Sequence, residues 1–311
     1  MGETGGANVV IANPRAGRGM VGCRWQDLLG RFRRAGLQVE GHLTEHPGHA
    51  AALARQARAG RRDLVVAVGG DGTVHEVVNG LLGEGARELD EGGVPVPSLG
   101  LVPAGSGCDY ARNFALPADL DDAVAHLVAS PARPVDIGEV RYHDIDGEAV
   151  RLFVNVAEVG IGAEVAARAA RLPRTLGAAR YAAAFALALP HQRSTTTYID
   201  LPGGAYEGPL TNLVVALGQY FGGGMRIAPK AEVADGLFDV QVQCGTKADY
   251  ALAMPKVFRG THLPHPRVRE ERATVVEVQG AVGAKVEADG EVLGTTPATF
   301  RILPGALRVK A

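Results

Sequence analysis

One stretch limits what this chain can fold into more than any other: Leu64-Val-Val-Ala-Val-Gly69-Gly70-Asp71-Gly72-Thr73-Val74-His75-Glu76-Val-Val-Asn79-Gly80. An uncharged apolar run of strand length enters a glycine-rich turn. Val74, Val77, Val78 and Leu81 then follow at helical spacing. A strand apolar on both faces has to be covered on both, which is the habit of parallel sheets. Glycines at such a turn let the backbone bend tightly and approach a phosphate. The helix start that follows offers free N–H groups and the positive end of its dipole. The spacing is neither the Walker pattern nor G-x-G-x-x-G. A plain strand-to-helix turn, with Asp71 or Thr73 as helix cap, fits Gly-Gly-Asp equally well.

The flanking segments repeat the alternation. Strands are expected at 8–12, 37–43, 63–68 and 99–102, and helices at 23–35, 48–58, 73–82 and 119–128. Strand and helix in turn predict a doubly wound α/β domain. Past Pro131 the texture changes. Short strand candidates at 135–141, 152–157, 196–201, 210–218, 237–242, 273–279, 285–288 and 298–302 are separated by Gly, Pro and Asp turns. One long helical region, 163–189, interrupts them, and 247–259 is a second helix candidate. Many short strands without βα alternation predict a β-rich, sandwich-like second domain. The expected division is 1–134 and 135–311, with 303–311 a candidate to return to the first domain.

Composition excludes several classes. The chain is 46% apolar and 21% charged over 311 residues, which rules out a disordered or fibrous protein. Its 32 basic and 34 acidic side chains leave a net charge of −2, so a generally basic nucleic-acid-binding surface is not expected. Three cysteines, Cys23, Cys108 and Cys244, form no C-x-x-C pair. With an N-terminus lacking a secretory pattern, they point to a reducing, cytoplasmic setting. The histidines show no H-E-x-x-H spacing. The 42 glycines are roughly twice the usual share and follow no Gly-X-Y period, so they serve turns and close backbone approach.

Further motifs stand in order along the chain. Asn13-Pro14-Arg15-Ala16-Gly17 follows the first strand, and Thr44 stands four residues before Gly48-His49-Ala50. Pro103-Ala104-Gly105-Ser106-Gly107-Cys108-Asp109-Tyr110-Ala111 follows the fourth. Gly222-Gly223-Gly224-Met225, Ala228-Pro229-Lys230-Ala231 and Asp235-Gly236-Leu237-Phe238-Asp239 come later, and Asp289-Gly290-Glu291 lies near the end. Together with the Gly-Gly-Asp-Gly turn, these resemble the motifs of the diacylglycerol kinase catalytic domain family, including its bacterial soluble lipid kinases, over nearly the whole chain.

The resemblance implies an N-terminal domain of the NAD-kinase and phosphofructokinase type that binds ATP, a C-terminal domain that takes the lipid acceptor, and a cleft between them. It assigns the nucleotide to Asn13, Thr44, Gly69, Gly70, Asp71, Gly72, Thr73, Val74, His75, Gly105 and Ser106. Glu291 becomes the general base. Asp71 either assists that base or binds magnesium. A structural Mg2+ would sit on Asp235 and main-chain oxygens near Glu232 and Leu237, while the catalytic ion arrives with the nucleotide. The implied substrate is diacylglycerol or a related lipid, and a homodimer is left open. From the residues alone, Asp235-Gly236 equally encodes a hairpin turn, Asp289-Gly290-Glu291 a turn and strand start, and Ser106 a turn between glycines.

Cys108 stands where the family usually carries Asn, and a thiol is a poor hydrogen-bonding substitute. Arg168, Arg171, Arg174, Arg180 and Arg193 fall in an interval without acids, interleaved with Leu172, Leu176, Tyr181, Phe185, Leu187 and Leu189. Such a segment suits peripheral contact with an anionic membrane, or else packs as a helical excursion with solvated arginines. Two other functions compete with a lipid kinase: a small-molecule kinase of the NAD kinase type, whose usual Asn-Glu dipeptide is absent here, and a nucleotide- or lipid-binding regulator with weak catalysis.

Overall fold

The computed structural model describes residues 8–83, 94–105, 107–173, 176–177, 179–280 and 283–311. The chain forms two compact units: Met1–Val135 with Gly305–Ala311, and Asp136–Pro304.

In the first unit, β1 (Asn8–Ala12), β2 (Val39–Leu43), β3 (Leu64–Gly69) and β4 (Ser98–Pro103) lie parallel in the order β4-β3-β1-β2. Each β3 residue is buried, as its uninterrupted apolar run requires. Val10, Ala12, Val66 and Val68 alternate onto one face, where they meet Leu28 and Phe32 of the helix Trp25–Arg34 and Val124 and Leu127 of the helix Leu120–Ala129. Asp119 caps the latter by accepting the Asp121 N–H at 2.8 Å. The helices His49–Ala59 and Asp71–Leu82 pack tightly on each other, and the Glu76 carboxylate accepts the Ala50 N–H at 3.1 Å. Val309 and Lys310, the end of a strand β15 (Glu291–Lys310), pair with β4 in parallel. Lys310 donates to the Val128 carbonyl at 3.2 Å, at the negative end of the helix Leu120–Ala129.

The second unit is antiparallel. Its strands are β5 (Ala132–Asp144), β6 (Gly147–Phe153), β7 (Val156–Gly160), β8 (Thr195–Asp200), β9 (Tyr206–Leu210), β10 (Asn212–Ala216), β11 (Phe238–Gln243), β12 (Val268–Ala273), β13 (Val275–Gln279), β14 (Lys285–Ala288) and most of β15. One path runs β12-β11-β10-β7-β14-β15, β13 joins β15 to β8 and β9, and β5 pairs with β6. Their inner faces close on a core in which the Phe153 ring stacks on Phe238 at 5.8 Å and meets Phe300 edge-on at 6.4 Å. Three helices, Ile161–Arg171, Ala179–Ala188 and Lys247–Arg259, build further clusters away from it. The fold is thus an α/β unit followed by a β-rich one.

Several expected boundaries move. The region 163–189 is two helices, because Leu172 is extended ahead of Pro173, which cannot continue a helix. The candidate 152–157 spans a break between β6 and β7. The helix expected from 73 begins at Asp71. β12 escapes a reading by apolar alternation because its Val-Arg-Glu-Glu-Arg-Ala sequence is mostly charged. Its charges are paired: Arg269 meets Glu271 at 2.7 Å, and Lys230 meets Glu270 at 2.7 Å.

A Cβ on Gly80 would strike the Ala51 carbonyl and the Ala54 side chain of the neighbouring helix. Gly80→Val is expected to cost about 1–3 kcal/mol by overpacking, read as a lower urea midpoint with an unchanged m-value.

Candidate active site

The carboxyl ends of β1, β2, β3 and β4 deliver four loops to one edge of the first unit's sheet, where open parallel sheets bind ligands. Main-chain bonds zip these loops together. Asn13 N–H donates to the Val68 carbonyl at 3.0 Å, Thr44 N–H to Ala12 at 2.9 Å, and Ala104 N–H to Gly69 at 2.9 Å. The Asn13 side chain accepts the Arg15 N–H at 2.9 Å. The two glycine loops touch, since a Cβ on Gly105 would lie 2.5 Å from the Gly70 Cα. Gly69 has no room for a side chain either, because the Thr73 hydroxyl packs against it.

No side chain caps the helix Asp71–Leu82; its N-cap is Gly70 in an extended conformation. The positive dipole end thus meets no side-chain cap, while the Thr73 and Val74 N–H groups close on the Gly70 carbonyl at 3.0 and 3.2 Å. Asp71 is the first helical residue rather than a cap, and its carboxylate accepts the Tyr110 N–H at 2.9 Å, tying the two loops. Thr73, Val74 and His75 have buried side chains; the His75 ring is 1% exposed, beside Asn79. Ser106 lies outside the described residues. Cys108 adopts a left-handed conformation, and its sulfur accepts the Gly105 N–H at 3.1 Å, so the position keeps an acceptor despite the loss of Asn. Burial pushes its thiol up to about 11, with the Asp71 carboxylate adding to the effect.

In the second unit, Glu291 is exposed at the start of β15. The turn before it is clamped from two sides. The Asp289 carboxylate accepts N–H groups from Val154 at 2.9 Å, Asn155 at 3.0 Å and Val156 at 3.3 Å. The Glu287 carboxylate accepts the Gly290 N–H at 2.8 Å. Asp289 and Gly290 both have positive φ, 51° and 87°, a backbone that the clamp must hold at the non-glycine position. Tyr181 stands over the turn, its hydroxyl 3.4 Å from where a Gly290 Cβ would be.

The 235–237 loop is organised by Asp136, whose carboxylate accepts the Gly236 N–H at 2.7 Å while its own N–H donates to Val233 at 2.8 Å. Sequence reading left Asp136 without a role; an acid set between the apolar residues Val135 and Ile137 was the available signal. Asp235 accepts the Leu237 N–H at 3.1 Å, and its other oxygen meets the Arg272 guanidinium. Glu232 is exposed. Carboxylate and main-chain oxygens are the donors a hard divalent cation uses, but Arg272 now stands on the Asp235 oxygen such an ion would take. No group of three or more His, Cys, Asp or Glu side chains among the described residues is placed to hold a metal. A cavity of about 410 Å³ opens beside the loop, lined by Lys230, Glu232, Asp239 and Arg272 among others. Burial raises Asp239 there to about 6.

The arginine-rich interval is less free than its sequence suggests. Arg168 pairs with Glu164 at 3.0 Å, and Arg180 lies 4.9 Å from the Tyr181 ring centroid. Arg171 and Arg193 are exposed, and Arg174 lies outside the described residues. The neighbouring helix Lys247–Arg259 adds exposed Leu252, Phe258, Lys256 and Arg259, which sequence reading overlooked. No helix among the described residues is long and apolar enough to cross a membrane.

The thiols should separate under a maleimide reagent at pH 7.5. Exposed Cys23 is expected to react at once, and Cys108 only on unfolding, as read by mass spectrometry of the labelled peptides.

Comparison with known proteins agrees with this arrangement. Residues 7–140 match the diacylglycerol kinase catalytic domain, and residues 155–311 match the YegS C-terminal NAD kinase beta sandwich-like domain. The chain is 30% identical over 294 residues to the diacylglycerol kinase of Bacillus subtilis (strain 168), covering 94% of this chain and 91% of that one. It is 29% identical to that of Staphylococcus haemolyticus (strain JCSC1435), over 94% and 84%. A crystal structure of a diacylglycerol kinase from Bacillus anthracis str. Sterne shares the fold, with a TM-score of 0.72, 19% identity and coverage of 99% and 97%. The chain belongs to the diacylglycerol kinase family of phosphotransferases, which act on an alcohol group.

Proposed function

We propose that the protein is an ATP- and magnesium-dependent lipid kinase that phosphorylates a hydroxyl of diacylglycerol or a related lipid. The observation that carries this reading is the uncapped start of the helix Asp71–Leu82, flanked by two glycine loops in contact. Main-chain N–H groups there suit the phosphate oxygens of ATP, and Asn13, Thr44 and Ser106 complete the proposed nucleotide site. The acceptor oxygen attacks the γ-phosphorus, the bond to the bridging oxygen breaks, and ADP departs. Glu291 takes the hydroxyl proton as the new bond forms. Its position on a turn fixed by Asp289 and Glu287 supports that role, since a base has to be held in line. Asp71, oriented by the Tyr110 N–H, is the second carboxylate, serving the base or the nucleotide's magnesium. Magnesium bound with ATP would neutralise phosphate charge. A structural ion would be held by Asp235 and the main-chain oxygens of Glu232 and Leu237, with Arg272 giving up its place.

We also infer that the lipid is taken from an anionic bilayer. The helices Ala179–Ala188 and Lys247–Arg259 meet through Phe185 and Tyr250, at 6.5 Å between rings. Leu187 and Leu252 are exposed there, Leu252 to 74%, with Arg193, Lys256 and Arg259 exposed on the same segments. Apolar side chains rimmed by cations suit the boundary between acyl chains and acidic headgroups.

Incubation with labelled ATP and a total lipid extract is expected to label a lipid, while NAD as acceptor stays unlabelled; the reverse outcome makes this a small-molecule kinase. Glu291→Gln should lower lipid phosphorylation by about 10²–10⁴-fold with the melting temperature and circular dichroism unchanged. Full activity in that variant would remove Glu291 as the base. Replacing Leu252 and Phe258 together by Glu should cut sedimentation with phosphatidylglycerol vesicles by about tenfold without changing turnover on short-chain, water-soluble diacylglycerol.

A further inference from the structure

Two buried acids face each other behind the Glu291 turn, and of these only Glu287 already has a task, as a clamp on Gly290. Glu158 on β7 and Glu287 on β14 are directly opposite each other across an antiparallel pair, which sets their Cβ atoms about 5 Å apart. Both are 3% exposed. Their strand neighbours Ala157, Val159, Val286 and Ala288 point into the aromatic core, so the two carboxyls share the opposite face, under the helix Ile161–Arg171. That space is closed: a Cβ on Gly162 would strike the Glu158 carboxyl. Glu158 accepts the Asn212 side-chain N–H at 2.7 Å, and Glu287 accepts the Gly290 N–H at 2.8 Å.

Every charge nearby is either acidic or already engaged. Lys285, two residues before Glu287, pairs with Glu164 at 2.6 Å, and Glu164 also holds Arg168. The helix Lys247–Arg259 contributes the phenol of Tyr250, which donates to Gln243 at 2.8 Å. The helix Ala179–Ala188 contributes Tyr181 with Arg180 on its ring. Asp289 and Glu291 follow in the turn, and Cys244 lies beyond Tyr250. Among the described residues no Lys, Arg or His lies within ion-pair distance of Glu158 or Glu287. Two buried carboxyls side by side without a cation cannot both ionise, so one keeps its proton.

We propose that Glu158 and Glu287 share a single proton that holds the Asp289-Gly290-Glu291 turn in place, and that losing this proton at alkaline pH releases the turn. With the proton present only one of the two carboxyls is charged, and Glu287 keeps an oxygen on the Gly290 N–H. Once both are ionised, repulsion drives Glu287 off that N–H, and Glu291 loses one side of its clamp. Glu158 and Glu287 are positioning residues here; the catalytic consequence rests on Glu291 being the base.

Burial moves Glu158 from an ordinary 4.5 up to about 7, and burial together with the Glu158 charge pushes Glu287 well above the usual carboxylate range. Between those pH values an unfolded chain releases a proton that the folded pair retains. Folded-state stability therefore falls as pH rises from 4.5 through about 7, and goes on falling until Glu287 has also lost its proton.

The test compares the native protein with Glu158→Gln and Glu287→Gln, whose amides mimic the protonated partner. At pH 7 the native protein should show the infrared carbonyl band of a protonated carboxyl, and in Glu158→Gln the band should titrate away at lower pH than in the native protein. Glu158→Gln should melt roughly 5 °C higher than the native protein at pH 8 and level with it at pH 5. The lipid-kinase rate of the native protein should drop several-fold from pH 7 to pH 9, and that drop should shrink in Glu158→Gln. A missing carbonyl band, or equal melting slopes with pH in all three proteins, overturns the proposal. Should one variant fail to fold, the native band titrated against pH and the other variant decide it. An active Glu291→Gln protein would remove the base and the rate measurement with it, leaving the band and the melting slopes to judge the pair.

Discussion

A single carboxylate, that of Asp289, receives three consecutive main-chain N–H groups from Val154, Asn155 and Val156. Val154 and Asn155 fill the break between β6 and β7 and Val156 opens β7, so the N–H groups of Val154 and Asn155 lack a strand partner and need another acceptor. The same break reaches the glycine-rich loop beyond β10, because the Asn155 carbonyl takes the N–H groups of Leu217 at 2.8 Å and Gly218 at 3.1 Å. The Asn155 side chain donates onward to the Tyr220 carbonyl. One acid thus ties the turn that carries Glu291 to the loop that carries Gly222-Gly223-Gly224, two motifs more than sixty residues apart in sequence.

The first unit solves a similar problem by closeness rather than charge. Gly70 and Gly105 approach so nearly that neither loop can gain a side chain independently of the other. The Asp71 carboxylate and the Cys108 sulfur then supply acceptors to the N–H groups of Tyr110 and Gly105. Thr73 fills the hollow above Gly69 from within its own helix turn. Such contacts fix the two loop backbones against each other, and no side chain caps the helix that starts at Asp71. That is the condition for preorganised anion binding without a large stability cost.

Hydrophobic patterning made the fold class legible. The unbroken run of β3 and the helical spacing after it required a doubly covered parallel sheet, and that sheet is present. The shift to short strands past Pro131 likewise marked a β-rich region. The failures have local causes. β12 is a charged strand whose side chains satisfy one another, so no apolar alternation exposes it. Pro173 divides a helical pattern that spacing alone runs together. In the candidate site the glycine positions were visible, but the groups that hold the loops were not. Asp136, Asp289 and Asp71 accept main-chain N–H groups distant in sequence, and nothing in a linear pattern names the acceptor of a backbone donor.

Charge runs call for the same correction. Five arginines between Glu164 and Asp200 read as one basic surface. Yet Arg168 lies one helical turn after Glu164 and is neutralised by it, and Arg180 spends its charge on the Tyr181 ring and hydroxyl. An acid four residues upstream on a helix should be subtracted before a basic segment is weighed. Lys256 and Arg259, by contrast, follow Asp249 on a helix where that acid is already committed to the Thr246 cap and to Arg267. Their charge stays available, because Asp249 is the one acid on this helix. Net charge along a segment therefore predicts a surface poorly, whereas charge left after capping and turn-by-turn pairing predicts it well. By that measure the cationic face of the second unit lies as much on the helix Lys247–Arg259 as on the arginine-rich interval.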